Sequence, residues 1–220
     1  MGDLLAHVLP LALGAAISPT ILILSLMLLS DATYGRVRSA VFTLGAGLVL
    51  AGFSVFAYVV IKPVSSAQAQ PDAFFGWLDL VAGVALIGLG VRALVSPPKP
   101  PKERPAGAEA SAHVGEWFAV GAGAMLTNFS TLVLYLPAVK DVAVSSVDAV
   151  AKVAVVVVLW IITMALAWVP LLAVVVFGDR AVEPLRGLRA AITAHQKTVA
   201  AVVSFAFGAY LGIKGIRAVA

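Results

Sequence analysis

A chain of 220 residues with 61% hydrophobic and 12% charged side chains, at a mean hydropathy of +1.04, has too little polar surface for a water-soluble domain. The absence of cysteine excludes a disulfide framework, a thiol nucleophile and a thiolate metal site, and no cofactor or metal is expected. The net charge of +4 concerns membrane orientation and anionic headgroups rather than nucleic acid.

A span needs roughly 20 apolar residues to cross the hydrocarbon core. Six runs meet that length, near 4 to 30, 37 to 61, 74 to 95, 115 to 139, 149 to 177 and 198 to 218. The first lacks a basic leader and is too long for the core of a signal peptide, so it is expected to be a span. Its middle carries Ser18-Pro19-Thr20, and because Pro19 removes a backbone donor, the spacing predicts a broken helix there. Asp79 falls early in the third run. Between the third and fourth runs lies Ser96 to Val114, with Pro97, Pro98, Pro100, Pro101 and Pro105 among Lys99, Lys102, Glu103 and Arg104: a solvated, extended linker. The chain is therefore expected to divide into 1–95, the linker 96–114, and 115–220.

The fourth run holds Thr127-Asn128-Phe129-Ser130-Thr131 at a depth matching Ser18, and a second break is expected there. A carboxamide at that depth is costly unless a helix or ligand pairs with it. The valine-rich fifth run, Val153 to Phe177, is helical by length, with Pro170 marking a kink or a packing bend. Val182, Leu185, Leu188 and Ile192 share a helical face with Arg186 and Arg189 turned away, which reads as a short helix on the inner leaflet or as a solvated loop. In the sixth run Lys214 and Gly208-x-x-x-Gly212 stand out; the glycine spacing suits close helix packing within the chain or a homodimer.

The end of the third run, Gly83-x-x-Leu86-x-x-x-Gly90-x-Arg92-Ala93, recurs in the sixth as Gly208-x-x-Leu211-x-x-x-Gly215-x-Arg217-Ala218. Halves of three spans each must cross the membrane in opposite senses if they fold alike. The expected fold is thus an all-α membrane protein of six transmembrane helices, two inverted three-helix repeats with helices 1 and 4 broken, of the kind that places substrate near the midplane. Ten of the 15 Lys and Arg residues fall on the side of the linker, which predicts a cytoplasmic linker and both termini outside.

Ser18, Pro19, Thr20, Thr127, Asn128 and Ser130 are the candidate substrate-binding residues, with proline kinks and hydroxyls bonded to their own helices as the structural alternative. Asp79 and Lys214, a turn or two from the outer boundary, read first as snorkelling charges and otherwise as functional ones; Lys140-Asp141 marks the water line. His7, His113 and His195 lie at ends or in loops, and without a phosphate loop, nucleophile elbow or zinc-helix pair no enzyme is expected.

Ala16-Ile17-Ser18-Pro19-Thr20, Trp77-Leu78-Asp79-Leu80-Val81-Ala82-Gly83, Thr127-Asn128 and Gly208 to Gly215 together resemble the GAP family, the glycopeptidolipid- and sulfolipid-addressing relatives of the LysE-type exporter superfamily, from end to end of the chain. Where that family usually has Asn-Pro-Lys, this chain has Asn128-Phe129-Ser130. The resemblance implies export of an envelope glycolipid or lipid-linked precursor across the cytoplasmic membrane, with membrane lipids as partners and Arg36, Arg38, Arg186 and Arg189 as a basic inner rim for an anionic lipid. Its rivals are a LysE-like exporter of an amino acid or cation, with Asp79 and Lys214 in ion coupling, and a non-transporting accessory subunit of a lipid export machine.

Overall fold

In a computed structural model of the chain, residues 2–31, 33–67, 71–95 and 114–219 are described, and the expected linker falls outside them apart from Val114. Among the described residues nine α-helices run in order: α1 (Gly2–Ala16), α2 (Pro19–Leu29), α3 (Gly35–Ala67), α4 (Pro71–Val95), α5 (Val114–Leu126), α6 (Phe129–Val144), α7 (Ala149–Thr163), α8 (Ala165–Phe177) and, after a 3₁₀ turn at Gly178–Ala181, α9 (Val182–Val219). No strand occurs among the described residues. Gly35–Ile61, Ala73–Val95 and Glu183–Val219 are each long and apolar enough to cross a membrane. The bent pairs α1/α2 (53°), α5/α6 (71°) and α7/α8 (68°) raise the candidate spans to as many as six.

The distribution of apolar side chains explains why such a chain needs lipid. Leu44, Leu48, Phe56, Val81, Val84 and Val176 are each more than 60% exposed on the flanks of the bundle, an arrangement water would penalise and hydrocarbon solvates. Inside, Leu11, Phe42, Leu50, Leu86, Met125 and Tyr135 are fully buried and join the helices of both halves in one core.

Because lipid tails are as apolar as leucine, helices associate here through close packing, which small residues allow. The recurring glycines of α4 and α9 meet each other in antiparallel register. A side chain at Gly83 would strike the backbone of Gly208 and Gly212, and one at Gly215 would strike that of Gly76 and Leu80. The Gly208-x-x-x-Gly212 face is thus packed within the chain. Gly45 and Gly121 likewise seat α3 against α5, each against the other helix's backbone near Phe118 and Phe42.

Three expectations need correction. The short surface helix and the sixth span are one continuous helix, α9, because Val182 to Lys197 contains only residues that tolerate a helix once its proline, Pro184, sits in the first turn. The fifth run is broken at Met164 and not at Pro170, which lies inside α8. There the carbonyl of Ile161, whose partner in an unbroken helix would be the amide of Ala165, accepts the indole Nε1–H of Trp168 at 3.0 Å. The fourth run extends to Val144, past Lys140 and Asp141.

Gly121→Ala forces a methyl onto the Phe42 carbonyl and is expected to lower unfolding stability by about 1–3 kcal/mol. Gly88→Ala, with open space around it, serves as control and is neutral or gains roughly 0.5–1 kcal/mol from helix propensity. Denaturant unfolding of both variants in detergent measures the difference.

Candidate functional site

The two expected breaks are held against each other by hydrogen bonds. Pro19 has no amide hydrogen, so the carbonyl of Ala15, four residues earlier, loses its helical partner. Thr131 of α6 supplies a replacement, its hydroxyl donating to that carbonyl at 2.9 Å. Asn128, which precedes α6, donates from Nδ2 to Ser18 Oγ and to Thr131 Oγ1, both at 2.8 Å, and its Oδ1 accepts from Ser130 Oγ at 3.0 Å. Ser18 also caps α2, weakly, through the amide of Ile21 at 3.5 Å. The expected alternative, hydroxyls bonded to their own helices, describes Thr127, whose hydroxyl returns to the Gly123 carbonyl at 2.8 Å, but not the Ser18–Asn128–Thr131 group. Ser18, Asn128 and Thr131 are buried, whereas Thr20 and Thr127 are exposed. Both donors of the Asn128 carboxamide are engaged within the protein, so this knot ties the first broken helix to the second.

A second polar site joins α4, α6 and α9. Lys140 Nζ lies 2.5 Å from Asp79 Oδ1 and 3.5 Å from Asp141 Oδ1; Lys214 Nζ lies 2.6 Å from Asp141 Oδ2 and 3.3 Å from Asp79 Oδ2. The result is a square of alternating charge in which each lysine touches both carboxylates. Asp79 and Lys140 are almost wholly buried, and Lys214 and Asp141 are partly exposed. Asp79 and Lys140 are thus held inside the protein by each other rather than reaching out to solvent. The Phe75 ring lies 5.8 Å from Lys140 Nζ and covers it further.

The inner pair of this square lines a groove of about 410 Å³ between α3, α4 and α6. Its other walls are apolar, among them Phe56, Val60, Ala82, Ala85, Val133 and Pro137. Exposed Phe56, Val60, Leu78 and Val81 form its lips, so the groove opens sideways onto the lipid-facing flank rather than along a closed axis.

At the other end of the bundle, where α2 ends and α9 begins, Arg36 and Arg186 line a cleft of about 680 Å³ together with Asp31 and Glu183. Arg38 departs from the expected basic rim. It is buried, paired with Asp31 at 2.5 Å, and its guanidinium lies 5.3 Å from the Trp117 ring and 5.5 Å from Tyr34. The Arg189 side chain lies outside the described residues. Among the described residues no cluster of His, Asp or Glu is arranged to hold a metal ion.

Thr131 belongs to the same polar cluster in the sequence as Asn128 and is the member that takes up the stranded carbonyl. The signal that identifies it is the four-residue offset from Pro19 to the orphaned Ala15 carbonyl. Lys140 and Asp141 carried no comparable local signal, since their partners sit on other helices.

Thr131→Val leaves the Ala15 carbonyl buried and unpaired and is expected to cost about 1–3 kcal/mol. In a Pro19→Ala background the restored amide takes that carbonyl back, and the cost of Thr131→Val shrinks. A double-mutant cycle by denaturant unfolding tests this coupling; equal costs in both backgrounds would refute it.

The family described as "Sap, sulfolipid-1-addressing protein" matches residues 8–217. No similar protein was found among curated proteins, and none among solved structures. With nearly its whole length matched, the chain belongs to the Sap, sulfolipid-1-addressing protein family.

Proposed function

We propose that this protein carries an envelope glycolipid or lipid-linked precursor across the cytoplasmic membrane, with the acyl portion of its cargo lying in the groove between α3, α4 and α6. The observation that carries this reading is the groove itself: apolar along its walls, open to lipid along its side, and ended by charge. A lipid chain leaving the bilayer for such a groove never has to enter water. A sideways opening suits an amphiphile better than the closed aqueous path an amino acid or cation exporter needs. Membership of a sulfolipid-addressing family supports a lipid cargo in the same direction.

The architecture in this reading is six spans in two inverted three-helix repeats, both termini outside. It is supported by the antiparallel glycine seam of α4 and α9, the matched motifs that form it, and the meeting of the two broken helices at Ser18 and Asn128. The Ser18–Asn128 tie serves as the pivot between repeats. Arg36 and Arg186, in their cleft, face the cytoplasmic leaflet and attract acidic headgroups. No step of this function calls for catalysis.

Purified protein in liposomes, assayed for leaflet exchange of a fluorescent glycolipid or polyprenyl-phosphate analogue, tests the reading. Ala82→Trp fills the groove from one wall and is expected to slow exchange at least about tenfold while the protein stays folded. Exchange at the unaltered rate in the folded variant, or none in the native protein, would overturn it.

A further inference from the structure

The charge square has two faces. Its inner pair, Asp79 and Lys140, has side chains only 3% and 6% exposed and lines the apolar groove; its outer pair, Asp141 and Lys214, is 16% and 29% exposed. One face thus lines the apolar groove and the other is the more exposed face, toward the C-terminal ends of α6 and α9. The four side chains sum to zero charge, and each carboxylate oxygen is engaged by a lysine. Among the described side chains, the charged groups of the square are Asp79 from α4, Lys140 and Asp141 from α6, and Lys214 from α9, and the α3 side chains that line the groove, Phe56, Ala57, Val60 and Ile61, are apolar.

An anion that enters a neutral, buried square leaves it with one uncompensated negative charge, which a low-dielectric site resists strongly. Neutrality returns if one carboxylate takes up a proton. Asp79 is the carboxylate positioned for this, because it lines the groove and protonating it breaks the shorter contact of Lys140, which lines the groove beside it and keeps Asp141 at 3.5 Å.

We propose that the Asp79–Lys140–Asp141–Lys214 square is a proton-linked binding site for the acidic headgroup of a lipid: Asp79 accepts a proton arriving from the Asp141–Lys214 side, and Lys140 turns to the headgroup anion. The ligand class is an amphiphile with one acidic group, phosphate or sulfate ester, next to its chains. The inference rests on the groove as a lipid path but extends the proposed function by naming the headgroup site and its dependence on pH. The lipid binds more tightly as pH falls, about tenfold per unit where one proton is taken up per lipid. Binding no longer depends on pH once Asp79 is fixed in a neutral form.

Isothermal titration calorimetry of the full chain in detergent provides the test, with dioleoyl phosphatidylglycerol as ligand from pH 5 to 8. Repeating it in two buffers of different ionisation enthalpy counts the protons. Expected are uptake of about one proton per lipid, tight and pH-independent binding by Asp79→Asn, and loss of preference for the acidic lipid in Lys140→Gln. Binding of the native protein without proton uptake overturns the proposal, and this arm needs no variant to fold. Equal binding of dioleoyl phosphatidylcholine overturns the headgroup site. Equally tight, proton-linked binding of inorganic phosphate assigns the square to a free anion and overturns the lipid ligand. Leaflet exchange that persists without proton uptake sinks this inference alone, whereas proton-linked binding without exchange sinks the transport reading and leaves the site standing.

Discussion

In hydrocarbon a backbone carbonyl without a partner has no water to turn to, and the construction of this bundle follows from how that constraint is met where its helices break. Pro19 strands the Ala15 carbonyl, and the group that takes it up, the Thr131 hydroxyl, comes from the other half of the chain. Asn128 then fixes Thr131 and Ser18 together. A local defect in one helix is in this way converted into a specific contact between halves. The same logic recurs at Met164, where the Trp168 indole takes the Ile161 carbonyl. Broken helices here are joints whose loose ends specify their partners.

Around that joint the bundle separates two kinds of surface. The glycine seams of α4 with α9 and α3 with α5 bring backbones together and seal the interior. Between α3, α4 and α6 small and apolar side chains leave a groove open to the flank, with Asp79 and Lys140 at its end. A buried ion pair is poor evidence for stability, because desolvating two charges offsets much of their attraction. We therefore read the four charges, on three helices drawn from both halves, as a functional site rather than as a source of stability.

Much of this was legible in the sequence, and the residues explain where legibility stopped. Long apolar runs force helices, and Pro19 forces a break wherever it falls within one. The polar cluster at Asn128 was readable because its residues are adjacent in the chain. The charge square was not, since Asp79, Lys140 and Lys214 come together only through the register of three packed helices. Arg36 and Arg38 stood as a pair in the sequence, but residues two apart on a helix point to nearly opposite sides, so one lines the cleft and the other is buried against Asp31 and Trp117. The break at Met164 has no mark in the sequence comparable to Pro170, because a proline is visible there and an indole capping a carbonyl seven residues back is not. Hydropathy counts lipid contact and not helix continuity, which is why α9 read as two segments.

Lipid transport by this protein requires the groove between α3, α4 and α6 to be a lipid site. Its most direct test is an experimental structure of the protein in nanodiscs containing acidic lipid. A lipid chain ordered between Val60, Ala82 and Val133 with its headgroup beside Lys140 is the predicted result. A groove closed by its own side chains, or one filled with ordered water continuous with the aqueous phase, would contradict it.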